Sequence, residues 1–136
     1  MSIAPAQAAD REKVIILWRQ AGLTRPWNDP QSDFDLALSS AASTILLARE
    51  GSDPIGSVMA GFDGHRGWLY YLATDPARLR RGVAHRLVTA AEEWLKDQGC
   101  RRIRLMVRND NEAASHFYEA AGYEMQDVIV WGRTLD

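Results

Sequence analysis

The clearest chemical signal in the sequence lies in the segment Asp75–Ala84, between a predicted strand and a predicted helix. Arg78, Arg80 and Arg81 stand directly before that helix. A helix N-terminus carries unpaired N–H groups and partial positive charge, so cations there are normally unfavourable. They become favourable if an anion binds at the turn, held by backbone N–H groups and neutralised by guanidinium groups. The segment therefore predicts an anion site, and a solvated basic loop is the alternative.

Two small residues in this turn favour close approach of a ligand. Gly82 and Ala84 leave room for the backbone to touch a bound anion directly. The Walker pattern of P-loop proteins is absent from the sequence, so a nucleoside triphosphate is not the expected ligand.

A second polar segment, Val107–Tyr123, joins a predicted strand to a short predicted helix. Tyr118 follows Asn111 by seven residues, which places both on one helical face. Taken singly, each residue has an equally good structural explanation. Asn111 would be a helix cap, and Tyr118 a core aromatic residue with a hydrated hydroxyl.

Apolar periodicity and turn residues predict the elements that position both segments. We expect strands at about Ser2–Pro5, Thr44–Arg49, Ile55–Phe62, Trp68–Thr74, 103–107 and Val128–Leu135, and helices at Ala9–Ala21, at a short stretch capped by Ser32, at Gly82–Gln98 and at Asn111–Ala121. This order, β-α-α-β-β-β-α-β-α-β, predicts a single α/β domain over residues 1–136, with a mixed, mostly antiparallel sheet flanked by helices.

Composition narrows the function classes. The 136 residues are 46% apolar and 25% charged, which is typical of one globular domain. A net charge of −2 argues against nucleic acid and anionic membranes as partners. The lone Cys100 excludes an internal disulfide, and no apolar run approaches the roughly 20 residues of a membrane span. The N-terminus lacks the pattern of a signal peptide, so we expect a cytoplasmic location.

At their observed separation, the two polar segments resemble the GCN5-related N-acetyltransferase (GNAT) family. Its acetyl-CoA signature, Arg/Gln-x-x-Gly-x-Gly/Ala, is similar to Leu79–Ala84, with Leu79 in place of the usual Arg or Gln. Its later pattern is met by Asn111, Ala114, Phe117, Tyr118, Gly122 and Tyr123. The predicted element order matches as well. The loops Arg25–Pro30 and Gly61–Gly67 resemble the bacterial YpeA-type branch of the family.

This resemblance implies an enzyme that moves an acetyl group from acetyl-CoA directly to an amine, without a metal. It implies a cofactor site made of Leu72, Ala73, Thr74, Arg80, Arg81, Gly82, Val83, Ala84, Asn111 and Tyr118. Residues 80–84 would hold the pyrophosphate, while residues 72–74 would pair with the pantetheine arm. A backbone N–H of Leu72 or Ala73 would polarise the thioester carbonyl. Tyr118 would donate a proton to the departing thiolate.

The general base and the acceptor site stay open among several loop residues. Candidate bases are Asp63, His65 and Asp29, and direct attack through water, or without a base, is the alternative. Trp27, Asp29, Asp63, His65 and Tyr71 would line a pocket in which aromatic faces and carboxylates suit a cationic amine. The equally weighted alternative is that Trp27 covers one end of the core and that Asp29 and Asp63 are solvated loop residues.

Two further classes of function compete with catalysis. A catalytically silent sensor would keep the acyl-CoA site, and an interaction module would use the Trp27 loop. For the enzyme, the acceptor is a small-molecule amine, a protein N-terminus or a lysine. Sheet edges at both ends favour a homodimer. Glu112 and His116 lie four residues apart without a third ligand, which favours an ion pair over a metal site.

Overall fold

A computed structural model describes residues 1–135 of the chain. Its five strands are β1 (Ser2–Pro5), β2 (Ser43–Glu50), β3 (Asp53–Phe62), β4 (Gly67–Thr74) and β5 (Ile103–Leu105). Its four α-helices are α1 (Arg11–Gln20), α2 (Pro30–Ser39), α3 (Val83–Asp97) and α4 (Glu112–Ala120). Apart from the last strand, these elements confirm the predicted order. None of the helices in the described chain has the length and apolar character that crossing a membrane requires.

The strands form one sheet in the order β1-β2-β3-β4-β5. The pairs β1–β2, β2–β3 and β3–β4 are antiparallel. The last pair, β4–β5, is parallel, with α3 as the connection between its strands. The predicted mixed, mostly antiparallel α/β sheet is therefore confirmed.

Helices cover both faces of this sheet, as neighbouring residues of β3 show. Ser57 bonds to Trp18 of α1, whereas an added Cβ on Gly56 would meet Val83 and Leu87 of α3. Successive residues of a strand point to opposite faces, so α1 and α3 pack on opposite sides. On the α1 and α2 face, the core is centred on Trp18 and Phe34, whose rings are fully buried and 6.4 Å apart.

Glycines permit α3 to lie close against its face of the sheet. A Cβ on Gly56 would come within 2.7 Å of Val83 Cγ1 and 2.9 Å of Leu87 Cδ1. A Cβ on Gly67 would approach the sulfur of the buried Cys100 to 2.8 Å. Both glycines therefore leave room for the side chains packed on them, and the contact at Gly56 places the first residue of α3 against the first half of β3.

Three sequence-based expectations are wrong. Val128–Leu135 forms no strand: its residues have no ladder partner among residues 1–135, and Val128, Ile129 and Val130 are at least 70% exposed. Residues of high strand propensity form a strand only where another strand supplies hydrogen bonds and cover. In addition, β5 ends at Leu105, before Val107. Finally, Asp29 and not Ser32 caps α2, because Pro30 occupies the first helical turn and leaves the cap position to Asp29.

The chain divides into two compact units, one over Met1–Met106 and one from Val107 onward. The first contains the sheet and α1 to α3. The second contains α4, with Tyr118 packed edge-on against Phe117 and Tyr123. That residues 1–136 form a single domain stays a prediction.

Candidate active site

The turn before α3 has the backbone geometry of an anion cradle. Arg80 and Gly82 both lie in the left-handed region, with φ of 67° and 76°. Gly82 occupies the cap position of α3, where no side chain caps the helix, and no acidic residue lies in the first turn. The first N–H groups of α3 therefore lack a side-chain acceptor and point toward the space outside the helix.

Two of the other three helices satisfy their first N–H groups with a capping side chain, whereas α1 follows directly on a 3-10 turn at Ala8–Asp10 and has no side-chain cap. The Asp29 carboxylate accepts from Gln31 N and Ser32 N at the start of α2. The Asn111 side chain accepts from Ala114 N at the start of α4, which confirms the predicted cap. At α3 an added Cβ on Gly82 would meet no atom within 4 Å, so the space before the helix is open. The uncapped helix fits the phosphate groups of a nucleotide-containing ligand.

The arginines of this turn divide into two roles. Arg78 donates to Asp75 over 2.7 Å and also to Glu50, at the end of β2. Arg81 lies 3.7 Å from the same Glu50. The hydrogen bond from Arg78 lowers the pKa of Glu50, so this carboxylate remains ionised and ties the turn to the sheet. Arg80 has no ion pair within residues 1–135, which leaves its charge available to a phosphate.

The adjacent strand β4 exposes part of its backbone toward the β5 side. Its ladder with β5 covers only Gly67, Trp68 and Leu69. On that side, residues 70–74 have no strand partner in the part of the chain that the structure describes. The free edge includes the predicted pantetheine-binding residues Leu72, Ala73 and Thr74, and an extended amide-containing arm could add to it as a further strand.

A bulge in β4 lies at the start of this free edge. Met59 of β3 pairs with Tyr70 and Ser57 pairs with Ala73, so β4 holds one extra residue between these pairs. Tyr71 takes a φ of 51°, which is unusual for a residue with a side chain. The fully buried Ser57 hydroxyl donates to the Tyr71 carbonyl oxygen over 2.9 Å. Trp18 Nε1 donates in turn to Ser57 over 2.9 Å, so this buried pair fixes the bulge.

Beside the bulge lies a cavity of about 660 Å³ within the first unit. It is lined by Leu23, Asn28, Asp33, Leu36, Ala37, Ser43, Met59, Ala60, Gly61, Tyr70, Tyr71 and Met106. The volume lies in the range of small-molecule sites, which are mostly apolar with a few placed polar groups. Of the predicted acceptor residues, only Tyr71 lines this cavity.

Asp33 is the charged residue of the cavity, and it was missed by the sequence analysis. The Tyr71 hydroxyl donates to Asp33 Oδ2 over 2.6 Å. The Tyr71 ring stacks on Trp18 at 3.9 Å between centroids. Burial and the hydrogen bond to Asp33 raise the pKa of Tyr71 well above its usual range, so the phenol remains a donor. Asp33 shares a helical face with Leu36 and Ala37. An acid on an otherwise apolar helix face was the sequence signal that could have identified Asp33 as a site residue.

The other predicted acceptor and base residues lie outside the cavity lining. Asp63 accepts hydrogen bonds from His65 N, Arg66 N and Trp68 Nε1 in the β3–β4 turn. Those bonds lower its pKa, the two backbone donors contributing most, and a lowered pKa makes a weaker base. The His65 residue is exposed, and Trp27 is 71% exposed, so it does not cover the core. The assignment of the base to Asp63 or His65 stays a prediction.

Tyr118, in the second unit, is half-buried on α4. Burial raises its pKa from 10.0 to about 12, so the phenol is protonated throughout the neutral range. Within residues 1–135, no group of three or more His, Cys, Asp or Glu side chains is arranged to hold a metal ion.

The uncapped helix start and the free strand edge suit a phosphate-bearing cosubstrate with an extended arm, and the cavity suits a small acceptor, as in an enzyme that transfers a group between two substrates. Comparison with known proteins specifies the class. Residues 13–123 match the Acetyltransferase (GNAT) family. The chain is 42% identical over 135 residues to Acetyltransferase YE1169 of Yersinia enterocolitica, covering 99% of this chain and 96% of that protein. The protein belongs to the GNAT family, and it is an N-acetyltransferase that uses acetyl-CoA.

Solved structures share the same fold. One is AAC(6')-Iy in complex with the bisubstrate analogue CoA-S-monomethyl-acetylneamine, with a TM-score of 0.84 at 19% identity, covering 99% of this chain and 98% of that one. Another is an aminoglycoside acetyltransferase from an uncultured soil metagenomic sample, in complex with sisomicin, with a TM-score of 0.82 at 16% identity, covering 99% and 96%. At these identities the likeness concerns the fold.

Proposed function

We propose that this enzyme transfers the acetyl group of acetyl-CoA directly to a small-molecule amine bound in the cavity of Asp33 and Tyr71. The observation that carries the proposal is the continuity of β4. Tyr71 forms the cavity wall, and the next residue, Leu72, begins the free edge assigned to the pantetheine arm. A thioester on that edge and an amine in the cavity would therefore meet at neighbouring residues, as direct attack requires.

The cosubstrate would be held by the turn and by the strand edge. The pyrophosphate would accept hydrogen bonds from the first N–H groups of α3, at Val83 and Ala84, with Arg80 as counter-charge and Arg81 shared with Glu50. Gly82 supplies the left-handed backbone that turns these groups outward. Leu79, 60% exposed, contributes no polar contact, and the backbone cradle does not require one.

In the reaction, the neutral amine nitrogen attacks the thioester carbonyl carbon, and the carbonyl oxygen becomes an oxyanion. A backbone N–H of Leu72 or Ala73 would stabilise that oxyanion. When the carbon–sulfur bond breaks, the sulfur leaves with the electron pair and would take the proton of Tyr118, the donor that the family pattern implies. The nitrogen loses its extra proton to water or to a base, and an amide and free CoA result.

A small molecule fits this cavity better than a protein chain does. A volume of about 660 Å³, lined by one helix and three strands of the same unit, encloses a ligand on several sides. The structural neighbours named above are aminoglycoside acetyltransferases, which also modify small-molecule amines. Together these observations support a small-molecule amine over a protein N-terminus or a lysine side chain.

The test is a steady-state thiol-release assay with acetyl-CoA and a panel of monoamines, polyamines, aminoglycosides and N-terminal peptides. Acetylated product from at least one small amine, identified by mass spectrometry, is the expected result. Tight binding of acetyl-CoA by calorimetry without thiol release across the panel would refute this proposal and would instead identify an acyl-CoA sensor.

A further inference from the structure

We propose that the acceptor carries a single ammonium group on an apolar body, and that Asp33 binds this ammonium. The inference rests on the proposed function, because it specifies the amine that occupies the same cavity. It separates this enzyme from its structural neighbours, since aminoglycosides carry several ammonium groups and many hydroxyls.

The first argument is the charge of the cavity. Asp33 is the one ionisable acid among the lining residues, and no arginine, lysine or histidine joins it. Asp29 lies nearby in sequence, but its carboxylate is bound to the N–H groups that start α2. One carboxylate neutralises one ammonium. A second ammonium in this cavity would lose water without gaining a charged partner, which is unfavourable.

The second argument is the state of Asp33 itself. This half-buried carboxylate makes no ion pair with any cation of residues 1–135, and Tyr71 is the partner of its Oδ2 atom. A carboxylate accepts about four hydrogen bonds, so acceptor positions remain for an N⁺–H donor. By contrast, Asp35 on the same helix is paired with Arg11 at 3.0 Å. Of the two acids of α2, Asp33 in the cavity therefore lacks a cationic partner within residues 1–135, whereas Asp35 has one.

The third argument is the apolar remainder of the lining. Leu36 and Met106 are 65% and 54% exposed although they are large and apolar. With Leu23 and Met59 they form an apolar wall and rim that an aliphatic or aromatic body would cover. Methionine side chains adapt to ligands of different shape, so we expect tolerance toward the body and selectivity for the single ammonium.

The position of Asp33 is fixed before any ligand binds. Tyr71 holds it through the 2.6 Å hydrogen bond, and Tyr71 is held by ring stacking on Trp18 and by the Ser57 hydroxyl at its carbonyl oxygen. Tyr71 also directly precedes Leu72 at the free edge of β4. A rigid carboxylate would thus place the acceptor nitrogen relative to the thioester and reduce the entropy lost on binding. The bound ammonium gives one proton to water before the attack, since only the neutral amine has the lone pair that forms the new bond.

The first part of the test compares acceptors by kcat/KM in the thiol-release assay, with 2-phenylethylamine and hexylamine as monoamines and sisomicin and spermidine as polycations. We expect the monoamines to exceed the polycations by at least about tenfold, the factor that corresponds to about 1.4 kcal/mol. A preference for sisomicin or spermidine would overturn the inference and leave the proposed function intact.

The second part uses Asp33→Asn, with Asp35→Asn as the matched control on the same helix. We expect Asp33→Asn to raise the KM for 2-phenylethylamine at least about tenfold and to leave the KM for acetyl-CoA unchanged, while Asp35→Asn changes neither. Calorimetric titration of 2-phenylethylamine into both variants gives a readout that does not depend on turnover. Equal affinity of the two variants, or no monoamine binding to the wild type, would refute the inference.

Discussion

Tyr118 is the residue on which leaving-group departure depends in the proposed mechanism. Replacing it with phenylalanine removes the phenolic proton and keeps the ring that packs against Phe117 and Tyr123. We therefore predict that Tyr118→Phe lowers kcat by ~10–100-fold, the usual contribution of proton transfer, with little change in the KM for acetyl-CoA. Tyr123→Phe is the control, since the family pattern accepts either aromatic there. An unchanged kcat in the Tyr118 variant would remove this residue from the mechanism.

The raised pKa of Tyr118 also predicts an alkaline dependence of stability. An unfolded tyrosine ionises near pH 10, whereas the folded phenol holds its proton to about 12. Stability from the buried neutral phenol is thus complete below pH ~10 and is lost as the pH rises toward the folded value. Urea unfolding from pH 8 to 12 should show a steeper alkaline loss in the wild type than in Tyr118→Phe. Parallel curves would contradict the assigned burial effect.

Arg80 is the arginine of the α3 turn that makes no ion pair with any acid of residues 1–135. We predict that Arg80→Ala raises the KM for acetyl-CoA roughly two- to fivefold, corresponding to up to about 1 kcal/mol for an exposed charge contact. The effect should shrink as salt is added, because salt screens exposed charges. Arg19→Ala, at an exposed position on α1, should leave the KM unchanged. Equal KM values for the two variants would show that the backbone alone holds the phosphates.

At the scale of elements, the fit of α3 against β3 sets the position of the cofactor turn. Gly56→Ala would place a Cβ 2.7 Å from Val83, at the first residue of α3, and the helix would have to shift. We predict a loss of about 1–3 kcal/mol in the free energy of unfolding, as for other overpacked cores. In Gly61→Ala, on the same strand, the nearest atoms lie at 3.8 Å, so this control should unfold near the wild-type urea midpoint. Equal midpoints would contradict the close packing.

Element identity was predictable where one local pattern decides it. Short apolar runs between turn residues predicted β2 to β4, and apolar residues at helical spacing predicted α3. The cap of α2 was misassigned although Pro30 stood in the sequence as the signal for Asp29. The C-terminal segment was misassigned because its run of β-branched and aromatic residues has high strand propensity, yet strand geometry needs a neighbouring strand that no single segment encodes.

The backbone geometry of the turn before α3 was predictable and the cavity of Asp33 and Tyr71 was not, for a physical reason. The turn depends on local chemistry, namely a glycine with positive φ and cations before a helix. The cavity depends on contacts between Asp33 and Tyr71, 38 residues apart, and on the bulge that Ser57 and Trp18 fix across 39 residues. Ser57 looked like an ordinary strand residue, and only its burial beside Trp18 reveals its role.

At the scale of the whole molecule, the segment Met125–Trp131 leaves much apolar surface uncovered. Met125 is 99% exposed, and Trp131 is 86% exposed. Such a contiguous patch marks an interaction surface, and a strand-forming pattern suits pairing with another sheet edge. We propose that a second copy of this chain covers it, which would form the predicted homodimer.

Sedimentation velocity tests the homodimer. The wild type should sediment as a dimer, and Ile129→Glu should shift it to a monomer because a charge cannot be buried without a partner. Ile16→Glu, at an exposed apolar position of α1, should remain dimeric. A monomeric wild type, or a dimer indifferent to the charge at residue 129, would contradict the proposal.

The central claim is that acetyl-CoA on the β4 edge and the amine in the Asp33 cavity meet for direct transfer. A bisubstrate analogue that joins the CoA sulfur to the nitrogen of 2-phenylethylamine through an ethylene spacer, which keeps that nitrogen an ammonium, tests this most directly by calorimetry. Because linked ligands bind the second site at high effective concentration, we predict at least about 100-fold tighter binding than CoA alone, with this gain largely lost in Asp33→Asn. An analogue that binds no more tightly than CoA, equally in both proteins, would contradict the account.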